Sequence, residues 1–136
     1  PELLQSCRAG DPMKAKHLDK ALMQFAEEGA AKVFKPAVGS GFIVGVVGAL
    51  QFDVLASRIE MEYGLPVRFE PSQFTSARWV AGPKDKVEKF AAANKGHMAH
   101  DNDGDLVYLT RLQWDIDRVE RDWPDLTLSA TKEMMV

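Results

Sequence analysis

Residues 41–71, GFIVGVVGALQFDVLASRIEMEYGLPVRFEP, change periodicity twice within one stretch. The run Phe42-Ile43-Val44-Gly45-Val46-Val47-Gly48 has strand length and β-branched composition. It is apolar on both faces, which predicts a strand in the middle of a sheet. From Phe52 onward the apolar residues take helical spacing, with Phe52, Leu55, Ala56, Ile59 and Tyr63 on one stripe. Gly64 stands where a left-handed residue closes a helix, and Val67-Arg68-Phe69 alternates as a returning strand. A buried strand, a helix packed across the sheet and a strand back form the predicted core.

Upstream, Glu2–Arg8 is read as a short strand. Asp11-Pro12 starts a helix, the aspartate as N-cap and the proline at the first helical position. Leu18, Ala21, Leu22, Phe25 and Ala26 repeat at helical spacing, and Gly29 closes that helix after Glu28. Ala31–Pro36 is a strand, and Ala37–Gly41 a turn into the central strand. The first half therefore reads strand-helix-strand-strand-helix-strand. From Ser72 the order repeats. Ala77–Val80 is strand-like, Gly82-Pro83 starts a helix carrying Val87, Phe90 and Ala91, and Gly96 stops it. A short strand at Met98, the turn Asp101–Asp105 and a paired strand Leu106–Thr110 follow. Leu112, Ile116, Val119 and Trp123 mark a last helix ended by Pro124; Leu126–Ser129 closes the sheet and Thr131–Val136 is read as a tail.

The expected class is α+β, as two tandem split βαβ (ferredoxin-like, βαββαβ) units, residues 1–71 and 72–136, packed together. A domain of ~60 residues buries only about 60% of its unfolded surface, so each unit needs the other. The join Pro71-Ser72-Gln73-Phe74 is short and contains an apolar residue, unlike a floppy linker. Whether the halves form separate sheets or one is not fixed by this pattern.

The chain has 136 residues with 46% hydrophobic and 27% charged, the composition of a globular protein rather than a disordered one. Its net charge of −3 divides as −1 before Ser72 and −2 from there on, which gives no warrant for a free nucleic-acid binder. No signal-peptide pattern is read, and no apolar run approaches the ~20 residues of a membrane span. The single cysteine, Cys7, fits a reducing cytoplasm. Starting at Pro1 without an initiator methionine, the chain is read as a processed product or, in preference, an excised fragment.

Few residues suggest chemistry. Gly39, Gly41, Gly45 and Gly48 loosely resemble a phosphate loop, but the dinucleotide and P-loop fingerprints need a different spacing or a lysine after the last glycine. Packing roles are expected instead: Gly45 admits a neighbouring element and Gly48 makes the strand-to-helix turn. Asp101, Asp103 and Asp105 have the spacing of a calcium loop, yet Leu106 and Leu112 stand where its glycine and bidentate glutamate belong. A hairpin turn is expected there, and no metal site. His17, His97 and His100 have no third ligand nearby and read as surface histidines; His97 and His100 would point to opposite faces of a strand. Asp53 suits the first turn of its helix through the helix dipole, and Cys7 has no histidine beside it.

The basic residues rise above this background. Lys14, Lys16 and Lys20 lie on the first helix, Lys32 and Lys35 on the next strand, Arg78 before Trp79, and Lys84, Lys86 and Lys89 on the third helix. Solvated faces account for most such clusters. The other reading is a contact surface for RNA phosphates or for another protein.

The segment Ile43-Val44-Gly45-Val46-Val47-Gly48-Ala49-Leu50-Gln51-Phe52-Asp53-Val54, with Arg58 and Glu62-Tyr63, resembles the C-terminal domain of bacterial peptide chain release factor 3. Glu27-Glu28-Gly29, Val33-Phe34-Lys35-Pro36 and Ala77-Arg78-Trp79-Val80 support it, so the resemblance runs over essentially the whole chain. The first half is more distantly similar to the third domain of elongation factor G. This resemblance implies a translational GTPase of termination, which uses GTP on the ribosome to drive class 1 release factors off after the peptide is freed. The family's GTP and Mg²⁺ site lies in an N-terminal domain followed by a β-barrel domain, and this chain carries neither pattern. No catalytic, cofactor-binding or metal residue is therefore carried over. The implied role is docking on the ribosome, against ribosomal RNA and small-subunit protein, with a shift relative to the GTPase domain as nucleotide changes. A cytoplasmic monomer, with its own GTPase and β-barrel domains as further partners and no membrane, goes with that role. Two other readings remain: a stand-alone small ligand-binding or enzymatic domain on the same scaffold, which needs a concave pocket, and a module that dimerises through an open sheet edge.

Overall fold

Cys7 is closed and Arg8 open along the alternating strand β1 (Leu3–Ala9), the first element of a computed structural model that describes residues 3–132. Glu2 of the expected first strand and residues 133–136 of the expected tail lie outside the described residues. Asp11 accepts a hydrogen bond from the Met13 N–H at 3.0 Å, so the chain turns through a short 3₁₀ segment, Pro12–Lys14, before α1 (Ala15–Glu28). Then come β2 (Lys32–Pro36), β3 (Phe42–Val46), α2 (Leu50–Tyr63) and β4 (Val67–Pro71). Gly29 and Gly64 close α1 and α2 in the left-handed conformation, where a side chain would be strained. The second half runs β5 (Ser76–Ala81), α3 (Lys84–Ala93), β6 (Met98–His100), β7 (Leu106–Thr110), α4 (Gln113–Asp122) and β8 (Thr127–Ser129). The class is α+β, and the expected order of elements occurs twice.

All eight strands join in one antiparallel sheet, in the order β4-β1-β3-β2-β6-β7-β5-β8. β3 lies between β1 and β2, as its two apolar faces require. The halves meet edge to edge at β2 and β6, with Lys35 opposite His100 and Pro36 opposite Ala99. One further bond, from the Ala37 N–H to the Met98 carbonyl at 2.8 Å, extends the seam.

Alternation sorts the side chains into three apolar layers. Cys7, Val33, Val44 and Val46 face α1 and α2, where Leu22, Phe25, Phe52 and Ile59 meet them. Val80, Met98 and Tyr108 face α3 and α4, against Phe90 and Val119. Between these, the helix-free faces of the two halves pack on each other: Phe34 and Ile43 from the first, Trp79, Ala99, Val107 and Leu109 from the second. Leu4 of β1 and Ala77 of β5, each one strand in from an edge, join this middle layer, so the sheet curls over on itself. The Phe34 and Trp79 rings meet edge to face at its centre, 5.8 Å between centroids.

Four local expectations change. The central strand stops at Val46; Val47 is 75% exposed because the chain turns there toward α2. Leu112 is extended at the residue before α4, off its inward stripe, and is 60% exposed. α3 ends at Ala93, where the Asn94 amide donates to the Phe90 carbonyl at 2.9 Å, and Gly96 lies beyond it in a 3₁₀ turn. Lys132, expected in a tail, is tied to the Asp101–Asp105 turn.

A middle layer shared by both halves makes their folding interdependent. Phe34→Ala should lower the unfolding free energy by about 3–5 kcal/mol, the usual cost of truncating a buried aromatic. Urea unfolding followed by fluorescence and by far-ultraviolet circular dichroism should give one coincident transition. Two separate transitions would show that the halves do not depend on this layer.

Candidate functional site

The nine basic candidates do not converge on one surface. Lys16 and Lys20 are exposed on the first turns of α1, with Lys14 exposed just before them, and no acidic residue stands in that first turn. Lys35 reaches from β2 toward the same helix, and its ammonium binds the Asp19 carboxylate at 2.9 Å. Lys32, on the opposite face of β2, holds its ammonium 5.2 Å from the centre of the Trp79 ring. Arg78 is half-buried on β5 and donates to the Ala77 carbonyl at 2.9 Å. Lys84 and Lys89 are exposed on α3 and Lys86 is half-buried, with Asp85 and Glu88 interleaved among them. α1 belongs to one outer layer and α3 to the other, so their lysines form two separate clusters.

The glycine-rich turn is internally satisfied. The Val47 and Gly48 N–H groups both donate to the Gln51 side-chain oxygen, at 3.1 and 3.3 Å, so the backbone donors a phosphate would need already have an acceptor. Gly41 has close surroundings. Its φ is +88°, and a Cβ there would lie 2.7 Å from Arg8 Cγ and 3.0 Å from the Cys7 carbonyl oxygen. Gly45 is buried and lines a cleft beside Trp79. The Cys7 thiol is pushed up to about 12 by burial, which keeps it neutral and poorly nucleophilic.

His97 departs from the expected surface histidine. The chain enters a 3₁₀ turn there instead of a strand, which sets the ring near Phe74 and Tyr108, with centroids 5.8 and 5.6 Å away. Its Nδ1 lies 2.9 Å from the Leu109 carbonyl oxygen. His17 and His100 are exposed.

The densest polar arrangement is the Asp101–Asp105 turn between β6 and β7. Asp101 is 5% exposed and accepts from the Trp79 indole N–H and from the Asp103 and Asp105 N–H groups, each at 2.9 Å. The Lys132 ammonium adds a bond to Asp101 at 3.0 Å, lies 2.7 Å from Asp105, and also binds Asp103. One carboxylate oxygen from each aspartate lies within 4.8 Å of the others, and the chain supplies its own cation among them. Sequence reasoning found the turn and missed Lys132. No local signal pairs residues 31 positions apart. Next to the turn, a cleft of about 290 Å³ opens between the layers, walled by Lys32, Phe34, Gly45, Trp79, Asp101 and Lys132.

The family model described as class II release factor RF3, C-terminal domain, matches residues 1–120, covering the first half and most of the second. The chain belongs to that family. The resemblance read from Ile43–Val54 points to the same one. The match ends within α4, so β8 and Lys132 lie beyond it.

Burial by itself would raise the Asp101 pKa, but the Trp79, Asp105, Lys132 and Asp103 donors outweigh it and hold the carboxyl below the usual aspartate range. A lowered native pKa stabilises the fold fully above the unfolded value, and that contribution is lost as pH falls through the native one. Asp101→Asn should therefore cost about 1.5–3 kcal/mol at neutral pH. Its urea midpoint should also drop less than the wild type's on acidification below about pH 4. Equal acid sensitivity in both proteins would show that Asp101 carries none of the effect.

Proposed function

We propose that this chain is the non-catalytic part of a translation-termination GTPase, docking on the ribosome and coupling that contact to GTP-dependent release of class 1 release factors. The family match over residues 1–120 carries the reading. In it, GTP and Mg²⁺ are held by a GTPase domain elsewhere in the full-length protein, and a β-barrel domain lies between that domain and this one. Residues 1–71 and 72–136 act as two subdomains that share the middle apolar layer and move as one body in the cytoplasm. The chain works as a monomer within the full protein, with ribosomal RNA and small-subunit protein as partners.

The exposed lysines supply the chemistry such docking needs. Lys14, Lys16 and Lys20 on one side, and Lys84 and Lys89 on the other, hold their charges in solvent, where phosphate oxygens can reach them. Lys35 is already neutralised by Asp19, and Arg78 is half-buried, so both are weaker candidates. The two clusters give a docking surface on either outer layer, and charge reversal separates them.

Titration of the purified chain with GTP and Mg²⁺ in a calorimeter should give no binding heat; dissociation constants tighter than ~1 mM (a binding free energy beyond about −4 kcal/mol) would overturn the non-catalytic reading. In co-sedimentation with ribosomes, the double variants Lys16→Glu/Lys20→Glu and Lys84→Glu/Lys89→Glu are compared at several salt concentrations. At least one should bind roughly tenfold more weakly and lose part of the salt dependence that phosphate contacts produce. Wild-type binding by both would remove the basic faces from the docking surface.

A further inference from the structure

We propose that Ala130–Lys132 is a releasable strap across the groove between the two layers, latched by the Lys132 ammonium on Asp101, Asp103 and Asp105. The strap follows β8, a strand of three residues paired to β5 through Trp79–Ser129, Val80–Leu128 and Ala81–Thr127. Ala130 and Thr131 line a cavity of about 330 Å³ beside Leu4 and Ala77. Lys132 lines the cleft of about 290 Å³ beside Phe34 and Gly45. Lys32 and Trp79 line both spaces, so the two lie side by side and the strap runs along the rim of each.

The latch is polar rather than apolar. Ala130 is exposed and Thr131 half-buried, and neither has a large apolar side chain to hold the segment down. What holds it is the ammonium, 3.0 Å from Asp101 and 2.7 Å from Asp105, with Asp103 bound as well. Two features make the contact reversible. Lys132 is 36% exposed and its Asp103 and Asp105 partners 63% and 49%, so water and salt screen most of the attraction. Asp101, the buried partner, keeps three other donors when the ammonium leaves, from Trp79, Asp103 and Asp105. Release therefore strands no buried acceptor, and the closed and open forms differ by a modest free energy. Opening uncovers both spaces on either side of Lys32 and Trp79. The strap lies outside the residues that the family model matches, so this device stands independently of the docking role.

Hydrogen exchange at the Trp79 indole N–H reads the latch, because Trp79 lines the cleft that Lys132 covers and lifting the strap opens that side chain to water. The indole resonance is assigned by its loss in Trp79→Phe and followed by nitrogen-15 NMR in wild type, Lys132→Met and Lys132→Arg. Lys132→Met keeps the aliphatic stem and removes the charge, and should exchange at Trp79 about tenfold faster or more. Amides of β3 and α2 should keep their wild-type rates, and Lys132→Arg should restore protection at Trp79. Raising salt to about 1 M, where the screening length is about 3 Å, should move the wild type toward Lys132→Met. Exchange in Lys132→Met within about twofold of wild type would overturn the latch, because the strap would then shield Trp79 without the lysine's charge. An equal acceleration in β3 would overturn it too, because the lysine would then stabilise the whole fold rather than a strap.

Discussion

Each half of this protein covers only one face of its strands with helices, and that asymmetry governs the rest. The uncovered faces carry Leu4, Phe34 and Ile43 on one side and Ala77, Trp79, Val107 and Leu109 on the other, an apolar area water would not tolerate. The faces close on each other because the sheet is continuous through β2 and β6 and curls at that seam. A unit of ~60 residues is marginal by itself. Stacking the units gives both a second covered face, and the Phe34–Trp79 contact sits where the two surfaces meet.

Trp79 also links the apolar layer to the polar turn. Its ring packs on Phe34 while its indole N–H donates to Asp101, so one side chain spans the shared layer and its boundary with solvent. The buried carboxylate costs little because four donors converge on it, and two of them are backbone N–H groups of the turn itself. A turn shaped this way leaves Asp103 and Asp105 facing out and close together. Lys132 arrives from the far end of the chain to neutralise them.

With the strand faces consumed by packing, the docking role proposed above falls to the outer layers: the core is closed, and the lysines of α1 and α3 project from opposite sides. The cations differ in readiness. The acidic neighbour of those on α1, Asp19, is already bound by Lys35, whereas those of α3 alternate with Asp85 and Glu88. A phosphate surface approaching α1 would meet less competition for its charge.

Local rules were enough for most of the elements. Period changes between residues 41 and 71 located β3, α2 and β4, and glycines at 29 and 64 stopped their helices where a left-handed residue was needed. Those rules failed where the environment, rather than the residue, decides. Leu112 has the right spacing for a buried stripe but precedes its helix, and His97 looks like a surface residue but is drawn toward Phe74 and Tyr108. The family likewise showed in the Ile43–Val54 stretch, whose specificity lies in the string of residues and not in any site they build. The order of elements that occurs twice, the apolar faces and the family were legible in the chain alone, because they follow from patterns among near neighbours. That one sheet joins the halves, that the basic clusters stand apart, and that Lys132 closes the turn at Asp101 emerged with the folded chain. Those are contacts between residues distant in the chain, and their formation depends on how two apolar faces find and cover each other.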